Sequence, residues 1–464
     1  MSIARLHRPH RPPLIRALAG LITASLMAAG LVVVPGYVTA SEQPPDIVVI
    51  MVDDLGPIPG LLERLPNIRR LFIDQGISFT SAIGETPLCC PARAGFLTGL
   101  HTHKHGVTVN DGTLFDPRET LATALQRAGY WTALAGKYLN NLGAVEDKTP
   151  PGWDRTAIMA AGYYDYDMWL DGELQHRGVE TTDYSTDVFR DHALDFLANA
   201  PAGPRFMLFT PYAPHQGSDR AGVTTRRQPV PADRHARGAL CADSPPLATP
   251  AYMEEDVSDK PAYIQARPRA QSASWPTVRT CQSLRAVDQA IKKLEVAESG
   301  RDVLWILTAD NGLAYGSHRW WRKVVPYTTQ VPLYVNWAAG RGTTPRSEGQ
   351  AVSNIDMAPT LCAIAGCALG PVDGLDWSAL LTDAEWSIPR DEVLEQSPVR
   401  IKTVPAWWAL RSKQWHYVRY ETGERELYRL TSDPWELSNL AGNAEYADVE
   451  AYQDARLNDA LAPR

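Results

Sequence analysis

Cysteine is scarce in this chain, six in 464 residues, yet two stand side by side as Cys89-Cys90. A disulfide between neighbours is strained, so pairing with each other does not explain them. Positive charge is also short, 45 Lys and Arg against 53 Asp and Glu, for a formal net charge of −8. Such a chain is a poor general binder of nucleic acid or anionic membrane, and an anionic substrate needs a local cluster of cations. No paired arginines point to twin-arginine export, no early cysteine to a lipid anchor, and no internal repeat to a solenoid.

One long apolar run, Ala17–Val34, follows Arg5, Arg8, Arg11 and Arg16 and precedes the small-residue step Val38-Thr39-Ala40. This is the pattern of a cleaved leader, residues 1–40, which predicts a mature chain from near Ser41 and a secreted or periplasmic location. The alternative is an uncleaved anchor helix, because the run approaches membrane-spanning length. Cleavage removes four Arg and no acid, taking the formal charge from −8 to −12. Outside the cytoplasm cysteines normally pair. Cys241 with Cys281 and Cys362 with Cys367 are plausible bridges, with connectivity left open. Cys89 and Cys90 are then left over.

What is present is globular: 44% hydrophobic, 21% charged, and long enough for a large and a smaller domain. "PDIVVIMVDDLG" reads as a buried parallel strand ending in Asp53-Asp54. Further strands end at Lys137, His215 and Asp310-Asn311, and "VPLYVNW" (331–337) is another. Helices are expected from Asn67, over 117–129 and over 283–297. Residues 216–280 read as long loops. The alternation of strand and helix predicts an α/β fold, a mixed and mostly parallel sheet flanked by helices, spanning 41–384. From 385 to 464 the pattern changes to a small antiparallel subdomain, with one hairpin about the Thr422-Gly423 turn.

The unusual polar residues gather at strand C-terminal ends, the edge at which open α/β sheets bind ligands. Asp53, Asp54, Asp310 and Asn311 offer oxygen only, which suits a hard cation, Ca²⁺ in preference to Mg²⁺, and not zinc. Arg93, Lys137, His215 and Lys323 add positive charge and a proton carrier, a set able to bind a tetrahedral oxyanion ester.

"PLCCPARAGFLTG" (87–99) resembles the sulfatase motif Cys-x-Pro-x-Arg followed by Thr-Gly, with Cys89 the key residue and Cys90 the variable one. "AGKYLNN", "TADNG" and the C-terminal "YETGERELYRLTSDPWELSNLAG" fall in the same family's order, nearest to N-acetylglucosamine-6-sulfatases and bacterial arylsulfatases. The resemblance implies an alkaline-phosphatase-like fold and hydrolysis of sulfate monoesters of a glycan or aryl group. It implies that a maturation enzyme converts Cys89 to formylglycine, whose hydrate is the nucleophile. Asp53, Asp54, Cys89, Asp310 and Asn311 would bind the metal, Arg93 the hydrate, and Lys137 and Lys323 the sulfate. His215 would face the leaving group, and Asn140 and His318 would touch substrate.

Three departures stand out: Ala92 in place of serine, Asn140 near a position that often holds His, and no Pro two residues after His215. They keep two other readings open, a phosphonate or phosphate ester hydrolase of the same superfamily and an inactive binder of sulfated glycans. His101, His103 and His105 read as structural. Trp320, Trp321, Trp407 and Trp408 either stack on substrate or pack the core.

Overall fold

A computed structural model describes residues 44–338 and 345–462. The leader expected over residues 1–40 lies outside them. Among the described residues no helix is long and apolar enough to cross a membrane.

The run Asp46–Val52 is buried at every position and becomes the middle of a ten-stranded sheet. Asp46–Val52 pairs in parallel with Val303–Ala309 on one side and Arg205–Thr210 on the other. Trp131–Lys137 and then Arg155–Met159 extend the parallel block beyond Arg205–Thr210. Strands buried on both faces carry continuous apolar sequence rather than alternation, which is why these were legible. Antiparallel pairing continues on both sides, Leu333–Asn336 with Ile77–Phe79 on one and Tyr166–Leu170 with Glu173–Arg177 on the other, and Arg346–Glu348 closes the first side in parallel with Ile77–Phe79.

Helices pack on the sheet in two groups. Ser185–Ala198 lies against Val278–Ala297, while Cys89–Thr98, Leu121–Arg127 and Met357–Ala365 form the second group. Both proposed bridges form, Cys241–Cys281 and Cys362–Cys367, and Cys89 and Cys90 remain free and buried.

Several boundaries differ from expectation. The helix expected over 117–129 runs Leu121–Arg127, because Thr120 accepts the Thr123 N–H while Thr123 Oγ1 accepts the Thr120 N–H. The helix expected from Asn67 is split into short pieces behind Pro66. The helix expected from residue 283 begins at Val278, since Thr280 and Cys281 are buried on the same packed stripe as Leu284. Within 216–280, the strands Gln216–Ser218 and Thr224–Pro229 form a small ribbon.

The antiparallel region is a four-stranded meander, Glu392–Ser397, Trp407–Ser412, Trp415–Tyr420 and Arg425–Arg429, rather than one hairpin. The unexpected turn is made by Ser412, whose Oγ accepts the N–H groups of Gln414 and Trp415 at 3.2 and 2.8 Å.

One buried ionic cluster on this sheet joins Glu395, Arg411 and His416 to Glu436 beyond the last strand. Arg411 Nε donates to Glu395 at 2.6 Å, and His416 lies 3.2 Å from Glu395 and 2.9 Å from Glu436. Burial pushes both carboxyls upward, but Arg411 and His416 outweigh it and hold them below the ordinary glutamate value of 4.5. Their stabilisation is therefore present above pH 4.5 and is lost as pH falls through their folded values. Burial and Arg411 push His416 down, but Glu436 and Glu395 outweigh them and raise it above 6.5. Its contribution is complete below 6.5 and fades as pH rises through its folded value. Glu395→Gln should leave Arg411 and His416 short of a partner and lower stability by about 3–5 kcal/mol. Urea titrations at pH 4 and 6 should show that loss at pH 6, shrinking at pH 4.

Candidate active site

Parallel register brings the site together. Val52 lies beside Ala309, so Asp53-Asp54 and Asp310-Asn311 leave the same sheet edge as neighbours. The Asp310 N–H donates to Val52 O, and the Leu55 N–H to Asn311 O. Lys137 ends the strand two places away, beyond Arg205–Thr210. The residue before it is Gly136 at φ 127°, where a Cβ would fall 2.1 Å from Thr210 O. Only glycine permits that approach.

The helix Cys89–Thr98 begins at the first motif cysteine, after Leu88 in extended conformation, and ends at Gly99 with φ 71°. Pro91 sits in the first turn, where a missing N–H costs nothing. Asn110 Oδ1 accepts the Cys90 N–H at 2.9 Å and so satisfies one of the helix's free donors. Cys89 and Arg93, one turn apart, share a face.

Charges pair tightly here. Lys137 Nζ is 2.6 Å from Asp53 Oδ2, both fully buried. Arg93 Nε donates to Asp310 Oδ2 at 2.9 Å, and Lys323 pairs with Asp54. Burial pushes Asp53 up, but Lys137 and His215 outweigh it and lower its pKa; for Asp54 the outweighing groups are Lys323 and His215. Burial likewise opposes the charged forms of Lys137 and Lys323, yet Asp53 and Asp54 respectively keep both raised.

Asp54 adopts φ 60°, a left-handed conformation whose strain is about 1–3 kcal/mol. It is held there by its own N–H to Asp310 Oδ1 at 3.0 Å and by Asn311 Nδ2 at 2.7 Å.

Cys89 Sγ lies 3.6 Å from Asp53 Oδ1, 3.9 Å from Asp54 Oδ1 and 2.7 Å from Lys323 Nζ. Burial pushes its thiol up to about 12, despite Lys137 and Lys323. At neutral pH the thiol is protonated and a poor nucleophile. Cys90 points elsewhere, its Sγ accepting the Asn140 N–H at 3.1 Å.

Ligand atoms of Asp53, Asp54, Cys89 and His215 lie within 4.8 Å of one another, close enough for one ion. Asp310 is beside this group, with Oδ2 on Arg93 and Oδ1 on the N–H groups of Asp54 and Asn311. The donors fit a hard cation, because the Lys323 ammonium already stands among Asp54, Cys89 and Asn311 Oδ1. Three carboxylates face three fixed cations, so a divalent ion leaves a surplus of two positive charges for an anionic ester.

His215 lies 3.2 Å from Asp54 Oδ2 through Nε2, and its Nδ1 meets Gln216 O at 2.6 Å. Both ring nitrogens face acceptors. Arg93 Nη2 is buried and, among the described residues, has no hydrogen-bond partner.

Asp54, Asn140, His215 and Lys323 line the floor of a cleft of about 780 Å³. Trp275, Tyr315, Trp320 and Trp321 line it too, and Trp275 lies 5.6 Å from the ring centres of both Tyr315 and Trp321. His318, expected to touch substrate, does not line this cleft. It is 2% exposed, bonded through Nδ1 to Glu254 at 2.6 Å, with its ring 4.2 Å from Tyr327. Trp407 is core, its Nε1 donating to Val324 O at 2.8 Å. His101 bonds to Glu85 Oε1 at 2.7 Å, a structural contact. Asn110, Trp275 and the basic rim described below were missed, because their loops share no spacing with the motif.

The sulfatase family model matches residues 45–367, and the model for the C-terminal region of N-sulphoglucosamine sulphohydrolase matches 316–462. The chain belongs to the sulfatase family. It is 27% identical over 466 residues to human N-acetylglucosamine-6-sulfatase, covering 87% of this sulfatase and 82% of the human protein. Among solved structures it resembles a protein bound to its substrate D-glucosamine-2-N,6-O-disulfate, at TM-score 0.68 and 23% identity over 90% of this chain and 97% of that one. It also resembles the phosphonate monoester hydrolase of Agrobacterium radiobacter, at TM-score 0.68 and 19% identity over 89% and 95%. The mixed sheet and antiparallel C-terminal sheet are thus those of the alkaline-phosphatase-like fold.

Lys137→Met should leave Asp53 as an unpaired buried charge and lower stability by about 3–5 kcal/mol, measured by urea denaturation. Adding Asp53→Asn should restore much of that stability and none of the activity.

Proposed function

We propose that this sulfatase hydrolyses a sulfate monoester on a sulfated glycan, using formylglycine made from Cys89 by a maturation enzyme and a divalent cation, Ca²⁺ in preference to Mg²⁺. The observation that carries the reading is Cys89 itself, a protonated and buried thiol set among three acids and three cations. As a thiol it has little to offer there, whereas formylglycine, once hydrated, supplies one oxygen to attack sulfur and a second hydroxyl to expel sulfate. Asp53, Asp54, Asp310 and Asn311, with the modified residue 89, would hold the cation, which would supply charge stabilisation for an anionic ester.

The chain's own residues do the rest. Lys137 and Lys323 grip sulfate oxygens and keep their charge against burial. The unpartnered Nη2 of Arg93 gives an oxygen at position 89 a donor. His215 holds a proton at Nε2 for the leaving oxygen. Asn140, beside the cleft floor, contacts substrate where a histidine is commoner, donating hydrogen bonds without carrying a proton. The arginine-led apolar run and small-residue step support export, with a mature start near Ser41. No nucleic acid or stable membrane association enters this reading, given the net negative charge.

The likeness to a phosphonate monoester hydrolase favours a second reading, a phosphorus ester substrate for the same machinery. Retention of every charged site residue speaks against an inactive binder. Parallel assays with nitrophenyl sulfate, phosphate and phosphonate esters separate the readings, and the sulfate should be the fastest.

Mass spectrometry of the Leu88–Arg93 peptide should show formylglycine at position 89. An unmodified thiol there in active enzyme, or modification at Cys90, would refute the mechanism. Cys89→Ala should abolish turnover and keep the fold. Cys90→Ala should cost about 1 kcal/mol of stability and leave most turnover. Chelation should abolish activity, with recovery on adding Ca²⁺.

A further inference from the structure

The cleft is basic on an acidic protein. Its lining carries Arg267, Arg319, Arg322, Lys323 and Lys402 against a single acid, Asp54. The whole chain has 53 acids to 45 bases, so this is a local reversal of sign.

These cations are not equivalent. Lys323 is bound to Asp54 and Cys89 at the floor. Arg319 is spent on the Glu254, Glu255 and Arg267 carbonyls. Arg267 lies 4.2 Å over the Trp320 ring and donates to Thr403 Oγ1 at 2.8 Å. Arg322 and Lys402 are different. Both are exposed, and among the described residues neither side chain has a hydrogen-bond or ion-pair partner. Arg322 directly precedes Lys323, and Lys402 stands at φ 56° in the tight Ile401–Val404 turn of the C-terminal region. The two come from different parts of the chain and line one cleft far larger than a single sulfate.

We propose that Arg322 and Lys402 form a second anion subsite, which selects glycans bearing another sulfate or carboxylate beside the ester that is cleaved. This rests on the sulfatase reading above. The two free cations take the charge that a monosulfated or aryl substrate lacks. Both cations are solvated, so their effect is on selection between substrates and is weakened by salt.

The test compares mature wild-type enzyme with Arg322→Ala, Lys402→Ala, the double variant and Arg322→Lys. The probes are a glucosamine carrying one sulfate and a glucosamine carrying two. The ratio of their KM values is read where turnover occurs, and calorimetry reads the same ratio as affinities. In the double variant the preference for the disulfated probe should fall at least about tenfold, chiefly through its KM. Arg322→Lys should keep most of the preference, and 0.5 M salt should erode it in wild type. An unchanged preference, or equal weakening for both probes, overturns the proposal. If wild type cleaves neither probe, a calorimetric preference lost in the double variant upholds the subsite while excluding these glucosamine sulfates as substrates; the sulfatase reading itself fails only if the nitrophenyl sulfate is not turned over either.

Discussion

Three carboxylates and three cations buried together at one sheet edge are the constraint on which the rest depends. Asp53 with Lys137, Asp54 with Lys323 and Asp310 with Arg93 are each nearly or wholly withdrawn from water. Moving such charges out of water costs several kcal/mol per ion, and attraction offsets this only when geometry is good. Register, the Gly136 approach and the left-handed Asp54 all serve that geometry. Placing a proline in the first turn of the motif helix and a glycine just past its end fixes where Cys89 starts and where Arg93 reaches.

The loop that carries Lys323 is held between two distant parts of the chain. The Val324 N–H donates to Pro87 O, just ahead of the motif, and its carbonyl accepts from Trp407 in the antiparallel sheet. His318 belongs to the same support, tied to Glu254 and packed at a tilt against Tyr327. Tyr327 in turn pairs with Glu426, a buried carboxyl that also accepts from Tyr420 and Tyr428 at 2.5 and 2.6 Å. The C-terminal sheet therefore sets the position of a site lysine without contributing a charge to the floor.

A second tie runs from the motif side. Glu85 accepts from His101 and from Gln396 of the antiparallel sheet. His101 is structural for this reason: it satisfies a carboxylate 1% exposed, which would otherwise be an unpaired buried charge, while His103 bonds to Gln396 and His105 Nδ1 accepts the Val107 N–H.

The sequence by itself determined the central parallel strands, the edge at which the polar residues gather, both disulfide candidates and the motif that begins at Cys89. Those features are local: an unbroken apolar run with polar residues at its end, or a thirteen-residue motif with fixed spacing. Tertiary structure decided the pairing of charges, the burial that keeps Cys89 protonated, and the withdrawal of His318 from the cleft. It alone revealed the Asn110 cap, the Trp275 wall and the two free cations at the rim. Each of these joins residues tens to hundreds of positions apart, and a long-range contact leaves no periodicity for a sequence to display. Whether a cation is spent or free depends on which neighbours the fold brings within hydrogen-bond reach.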